Sequence, residues 1–259
     1  MRTRPSIGRR LGAWLDAVPA RPRAASGEAI GLVLVLLAFT RLHAVVATDV
    51  AVATGNASAL QSLERRLHLD VEPGLNRWLV GHDALITPAV LVYRLYYVVL
   101  LGVLVWIFLR HADVHRQVRR TFVAMTGLAL VVFRVLPMSP PRFALAGVVD
   151  VVAEHDLLGG AASHGAGSLT AMPSLHVGWS AWAAYAAWSA LRPTHPRAAA
   201  LAWLFPAVMV ADVLVTGNHY LLDVVGSGVL LVASIALARG WGRLAARLAA
   251  RRDRRPIGG

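Results

Sequence analysis

The sequence predicts an all-α, polytopic membrane protein: a six-transmembrane-helix bundle with an extracytoplasmic amphipathic helix. Three observations carry that expectation. Hydrophobic residues make up 57% of the 259-residue chain and charged residues only 15%, whereas a soluble domain carries about a quarter charged residues. The apolar residues fall in blocks close to the ~20 residues that a helix needs to cross a bilayer. Arginines concentrate in alternate connections between the blocks, the pattern that sets membrane orientation. Inside hydrocarbon the backbone must satisfy its own hydrogen bonds, which leaves helices or closed barrels. The blocks lack sustained polar–apolar alternation, so barrel strands are excluded.

Six blocks follow in order, over residues 29–51, 84–109, 122–136, 172–191, 199–215 and 221–238. The first follows a basic stretch, as a signal peptide would, but has no clear small-residue cleavage site and reads as a retained span. The chain divides into a basic N-terminal segment (1–28), a six-span domain (29–240) and an Arg-rich tail (241–259). Arg2, Arg4, Arg9, Arg10, Arg21 and Arg23 precede the first span, and Arg110, Arg116, Arg119 and Arg120 separate the second from the third. Arg192 and Arg197 separate the fourth from the fifth, and Arg239 to Arg255 follow the sixth. Both termini are therefore expected in the cytoplasm of a cell carrying the protein in its plasma membrane. Arg41 and Arg94 fall within spans one and two, where such residues usually face the bundle interior or a wet cavity.

The net charge is +12, with every basic residue an arginine. Because the arginines flank apolar blocks, they predict a bilayer partner and not nucleic acid; the tail reads as an anchor to anionic lipid. There are no cysteines, which removes disulfides, thiolate catalysis and Cys-based zinc sites. Residues 58–80 place Leu60, Leu63, Leu67, Leu75 and Leu79 at roughly helical spacing. They predict the outer amphipathic helix, broken at Pro73 and Gly74. The outer connection 139–171 contains Gly159, Gly160, Gly165 and Gly167 and reads as a plain loop or a lid. Gly226 and Gly228 are expected to allow close helix approach.

Polar residues cluster at the ends of spans three, four and six, all predicted to face outward. Pro173-Ser174-Leu175-His176 opens span four. Proline favours a first helical turn, and a helix amino end offers free N–H groups to a phosphate. Ordinary capping with an incidental histidine is the alternative. Thr216-Gly217-Asn218-His219-Tyr220 precedes span six, and Asp223 follows His219 by four residues. A carboxylate at that spacing can hold an imidazole in one tautomer, as a working pair or as a buried structural one. Pro140-Pro141-Arg142 ends span three, and a guanidinium grips phosphate oxygens through paired hydrogen bonds. Arg134, inside span three, requires a partner, with Asp212 and Asp223 as candidates.

Together these motifs resemble the type 2 phosphatidic acid phosphatase superfamily, and within it the inositol phosphorylceramide synthase-like branch of actinobacterial membrane proteins. The resemblance rests on Pro140-Pro141-Arg142, Pro173-Ser174-Leu175-His176 and His219 through Asp223, and it covers roughly residues 29–240. It implies an enzyme with three catalytic residues. His219 is the nucleophile that becomes a phosphohistidine, Asp223 orients it, and His176 is the general acid and base. Arg142 and Ser174 bind the phosphate. It implies a lipid phosphate substrate, a water, polyol or lipid acceptor, an extracytoplasmic site, and neither metal nor cofactor. The superfamily usually carries a lysine where this chain has Val135, an arginine where it has Val213, and a glycine where it has Leu175. Arg134 and Asn218 are the candidates to replace the lost phosphate ligands, and the losses fit a transferase better than a simple hydrolase. A non-catalytic scaffold or transporter is the remaining alternative.

Overall fold

The computed structural model describes residues 22–155 and 169–253, and among them all regular elements are helical. The first 21 residues lie outside this set, as do the loop residues Gly159, Gly160, His164, Gly165 and Gly167, and Arg254 and Arg255. In chain order the helices are α1 (Pro22–Val46), α2 (Val50–Arg66), α3 (Glu72–Val80), α4 (Asp83–Arg110) and α5 (Ala112–Val135). There follow the short α6 (Pro141–Ala144) and α7 (Val151–Glu154), then α8 (Leu175–Leu191), α9 (Pro196–Leu201), α10 (Leu204–Val215) and α11 (Leu221–Asp253).

Among the described residues, three helical stretches are long and apolar enough to cross a bilayer: Asp83–Arg110, Pro196–Val215 and Leu221–Arg251. The pair Leu34–Val46 and Val50–Arg66 is a fourth candidate, bent by 90°. At 33 residues, α11 extends to about 50 Å, beyond the ~30 Å hydrocarbon thickness. The predicted second span therefore coincides with α4, whereas the fifth is jointed at Ala202-Trp203 and the sixth continues well past residue 238.

At the centre stands α8, packed against α4, α5, α9, α10 and α11. Its Ala-rich surface lets neighbours approach closely. A Cβ at Gly178 would lie 2.6 Å from Met125 Cε, so α5 and α8 meet closely there and a side chain would have to displace the methionine end. Trp179 and Trp182 fill the space beside Phe122, and the Trp182 indole N–H donates to the Val118 carbonyl at 3.0 Å. Gly226 approaches Met172 and Pro173, in the segment before α8, closely, and nothing lies near Gly228.

The α2–α3 hairpin corrects the expectation for residues 58–80. The helix breaks between Arg66 and Glu72, where His68 adopts φ 56°, and Pro73 sits inside the first turn of α3. A proline there lacks only an N–H that would be unpaired anyway. The buried face of α2 is Ala53, Ala57 and Glu64, and that of α3 is Glu72, Asn76 and Leu79. Leu63 and Leu67 are exposed. The hairpin thus turns polar groups toward the bundle. Arg41 is also exposed, away from the bundle interior.

Candidate active site

The amino end of α8 presents His176. Ser174 is the N-cap: its Oγ accepts the Val177 N–H at 3.3 Å, and its carbonyl accepts the Ser227 hydroxyl at 2.8 Å. Fully buried in these roles, it does not line the cavity. Its hydroxyl positions the amino end of the helix. Pro173 precedes the cap instead of occupying the first helical turn. His176, on that first turn, has its ring between two tyrosines. Tyr93 stacks on it at 4.2 Å and 25°, and Tyr96 lies at 4.5 Å and 45°.

His219 comes from the turn before α11. Gly217 makes that turn with φ +73°, and a Cβ there would also lie 2.7 Å from Val148 Cγ1. Both constraints select glycine. His219 Nδ1 lies 2.9 Å from the Ala171 carbonyl oxygen and 3.3 Å from Asp223 Oδ2. Both neighbours are acceptors, so Nδ1 carries the proton and Nε2 keeps its lone pair. Asp223 Oδ2 also accepts the Tyr220 N–H at 3.0 Å. His219 itself stands outside the helix, so the pairing spans a helix start instead of one helical face.

Two further carboxylates complete this helix start, and sequence reasoning gave neither a role. Glu72 Oε1 accepts the Leu221 N–H at 2.7 Å, and Glu64 Oε1 accepts the Leu222 N–H at 2.8 Å. Three successive N–H groups thus meet three buried carboxylates, which suits the positive end of a helix. Burial pushes the Glu64 carboxyl up to about 7, opposed by the Leu222 hydrogen bond and reinforced by the nearby Glu72 and Asp223 charges. Burial raises Glu72 as well, against its backbone hydrogen bonds. Asn76 ties the same hairpin to the loop: its amide donates to Val149 and Val215 carbonyls and accepts the Val149 N–H. The available signal was an acid on the inward face of a surface helix, Glu64 in register with Ala53 and Ala57.

Arg142 enters from α6. Its Nε lies 3.1 Å from Asp150 Oδ2, an NH1 group donates to Asn218 Oδ1, and its backbone N–H donates to the Gly217 carbonyl at 3.0 Å. Asn218 in turn donates from Nδ2 to Thr216 Oγ1 at 2.8 Å. Asn218 therefore links Arg142 to the His219 turn, a positioning role beside its place on the cavity wall. Asp150, unassigned from sequence, fixes the other edge of the guanidinium. Arg134 is not part of the assembly. It is exposed and does not line the cavity. Its candidate partner Asp223 is engaged by His219 and Tyr220. Helical phase turns Arg134 away, since Phe133 is the residue of that turn that faces inward.

His176, His219, Arg142 and Asn218 line one cavity of about 320 Å³, with the two imidazole rings 5.9 Å apart. Thr170, Ala171, Phe39, Tyr93, Tyr97 and Trp179 are among the other lining residues. Three remote stretches of chain therefore meet in one place. Apolar helices around a pocket of histidine and arginine define a membrane protein with a polar interior site. The chain matches the PAP2 superfamily over residues 58–237, well over half its length, and it belongs to that superfamily. Members are phosphatases or phosphotransferases, which supports an enzyme of that kind. No curated protein and no solved structure shows significant similarity to the chain.

Proposed function

We propose that this protein is an integral membrane lipid phosphatase or phosphotransferase that works through a phosphohistidine on His219. The observation that carries the reading is the placement of His219 Nδ1 between the Ala171 carbonyl and Asp223, beside a second histidine and an arginine in one cavity. The lone pair on Nε2 attacks the phosphorus of a lipid phosphate, and a protonated His176 delivers its proton to the departing lipid oxygen. Asp223 stabilises the imidazolium so formed. His176, now a base, takes a proton from water or an acceptor alcohol. That oxygen bonds to phosphorus, the N–P bond breaks, and His219 returns to its starting form. Arg142, fixed at both edges, faces the phosphoryl oxygens, where a prearranged cation stabilises developing charge.

The bundle crosses the plasma membrane six times, with α5 and α8 as further crossings beside the apolar helices and α1, which is followed by a sharp bend into α2. Arginine placement supports cytoplasmic termini and an extracytoplasmic site, with α2 and α3 on the outer surface. The Pro140-Pro141-Arg142 motif, together with valine at 135 and 213, favours the inositol phosphorylceramide synthase-like branch and hence transfer to a polyol or lipid alcohol. The test is purified protein in detergent with a panel of lipid phosphates, with and without polyol acceptors, counting inorganic phosphate and new phospho-products. Phosphate release without acceptor identifies a phosphatase; turnover only with acceptor identifies a transferase. Wild type equal to His219→Ala on every donor would refute the reading and leave a scaffold.

A further inference from the structure

We propose that Asn76 of α3 is a positioning residue that sets the His219 nucleophile against the Arg142 guanidinium, aided by Glu72 one turn before it. The inference rests on the proposed function and names residues that act on that site from outside it. Both side chains are fully buried, and neither lines the cavity. With Leu79 they form the inward face of α3. Whatever they do for the reaction, they do through other residues.

Asn76 donates from Nδ2 to the Val149 and Val215 carbonyls, both at 3.0 Å, and its Oδ1 accepts the Val149 N–H at 2.8 Å. One amide thereby engages both its donors and its acceptor. The two stretches it joins carry the two halves of the site. Val149 adjoins Asp150, whose Oδ2 holds Arg142 Nε at 3.1 Å. Val215 leads into the turn that delivers Asn218 and His219. A Cβ at Gly217 would lie 3.2 Å from Asn76 Nδ2, so the amide packs directly against that turn. On the far side of His219, Glu72 Oε1 accepts the Leu221 N–H at 2.7 Å. One face of α3 thus holds the chain before and after the nucleophile, together with the strut behind the phosphate-facing guanidinium. In-line transfer is sensitive to such placement, since a shift of about 1 Å at the reacting atoms can cost ~10²-fold. Binding of a ground-state phosphate demands less, because only the transition state needs nucleophile and cation in register.

The test uses the full chain in detergent with a panel of lipid phosphates. Inorganic phosphate and orthovanadate serve as inhibitors, the second because it adopts the five-coordinate geometry of the transferring phosphoryl group. Asn76→Ala is expected to lower kcat about tenfold and to weaken vanadate about tenfold, while KM and phosphate inhibition change by less than about twofold. Glu72→Leu moves the same quantities in the same direction. Glu72→Gln, whose amide oxygen still accepts the Leu221 N–H, restores most of the loss. If Asn76→Ala does not fold, the Glu72→Leu and Glu72→Gln pair reads the same ratio. A lower Tm or yield with kcat per folded molecule and both inhibition constants at wild-type values makes the role purely structural and overturns the proposal. Equal weakening of phosphate and vanadate, or no rescue by Glu72→Gln, overturns it too, and each of these leaves the phosphohistidine enzyme standing. A wild type that turns over no lipid phosphate and binds neither anion refutes that enzyme and the positioning role with it.

Discussion

The two cavity histidines, with ring centres 5.9 Å apart, are held by opposite means. His219 is fixed by polar contacts, a backbone carbonyl and a carboxylate on one nitrogen. His176 is clamped by the rings of Tyr93 and Tyr96. The difference is consistent with the separate roles proposed for them. A nucleophile needs one tautomer and a counter-charge for its cationic intermediate, which Asp223 supplies. A proton shuttle must gain and lose its proton in each turnover. Aromatic faces orient such a ring without committing either nitrogen.

The sharpest way to break this comparison is to remove the nucleophile. His219→Ala is expected to lower lipid phosphate turnover by at least ~10⁴-fold, measured as phosphate or phospho-product formed; retention of a tenth of activity would reverse the assignment. Asp223→Asn comes next, at roughly 10³–10⁴-fold in kcat, because an amide cannot both accept the Nδ1–H and counter the imidazolium. His176→Gln is expected to cost about 10²–10⁴-fold. It should also make the phosphoenzyme accumulate when the donor is an activated aryl phosphate, whose leaving group needs no proton. A phosphoenzyme level equal to wild type would deny His176 the second step. Tyr96→Leu should cost about tenfold or less in kcat, since stacking contributes ~0.5–1.5 kcal/mol, with a shift in the pH–rate profile that His219 variants do not share.

The smallest effect concerns stability. The Glu64 carboxyl, raised from 4.5 to about 7, is protonated more readily in the folded chain than in the unfolded one. Its contribution to stability is complete below about pH 4.5 and declines as pH rises toward 7. Glu64→Gln keeps an acceptor for the Leu222 N–H. It should flatten the fall in Tm between those pH values, and a Tm profile superimposable on wild type would contradict the burial argument.

Much of this site was legible in the sequence because its chemistry is written in residue type and spacing. His219 and Asp223 announce a pair by their four-residue separation, and Arg142 by its prolines. What stayed hidden depends on side-chain direction and on contacts across the fold. The Ala171 carbonyl carries no signal, since every residue has one. Ser174 reads equally as cap or ligand until its hydroxyl is seen on the Val177 N–H. Arg134 differs from the inward Phe133 by a single helical step. Glu64 and Glu72 form no recognisable motif in the sequence, although they secure the helix that follows His219. The break between α2 and α3 fell before Pro73 because proline suits a helix start.

The most direct test is to trap the intermediate. Rapid acid-free quenching with a ³²P-labelled lipid phosphate, followed by peptide mapping and ³¹P NMR, should find a base-stable, acid-labile phosphohistidine linked through Nε2 of His219 and absent from His219→Ala. A phosphoryl group on His176, on His219 Nδ1, or on no residue while turnover proceeds would contradict the account.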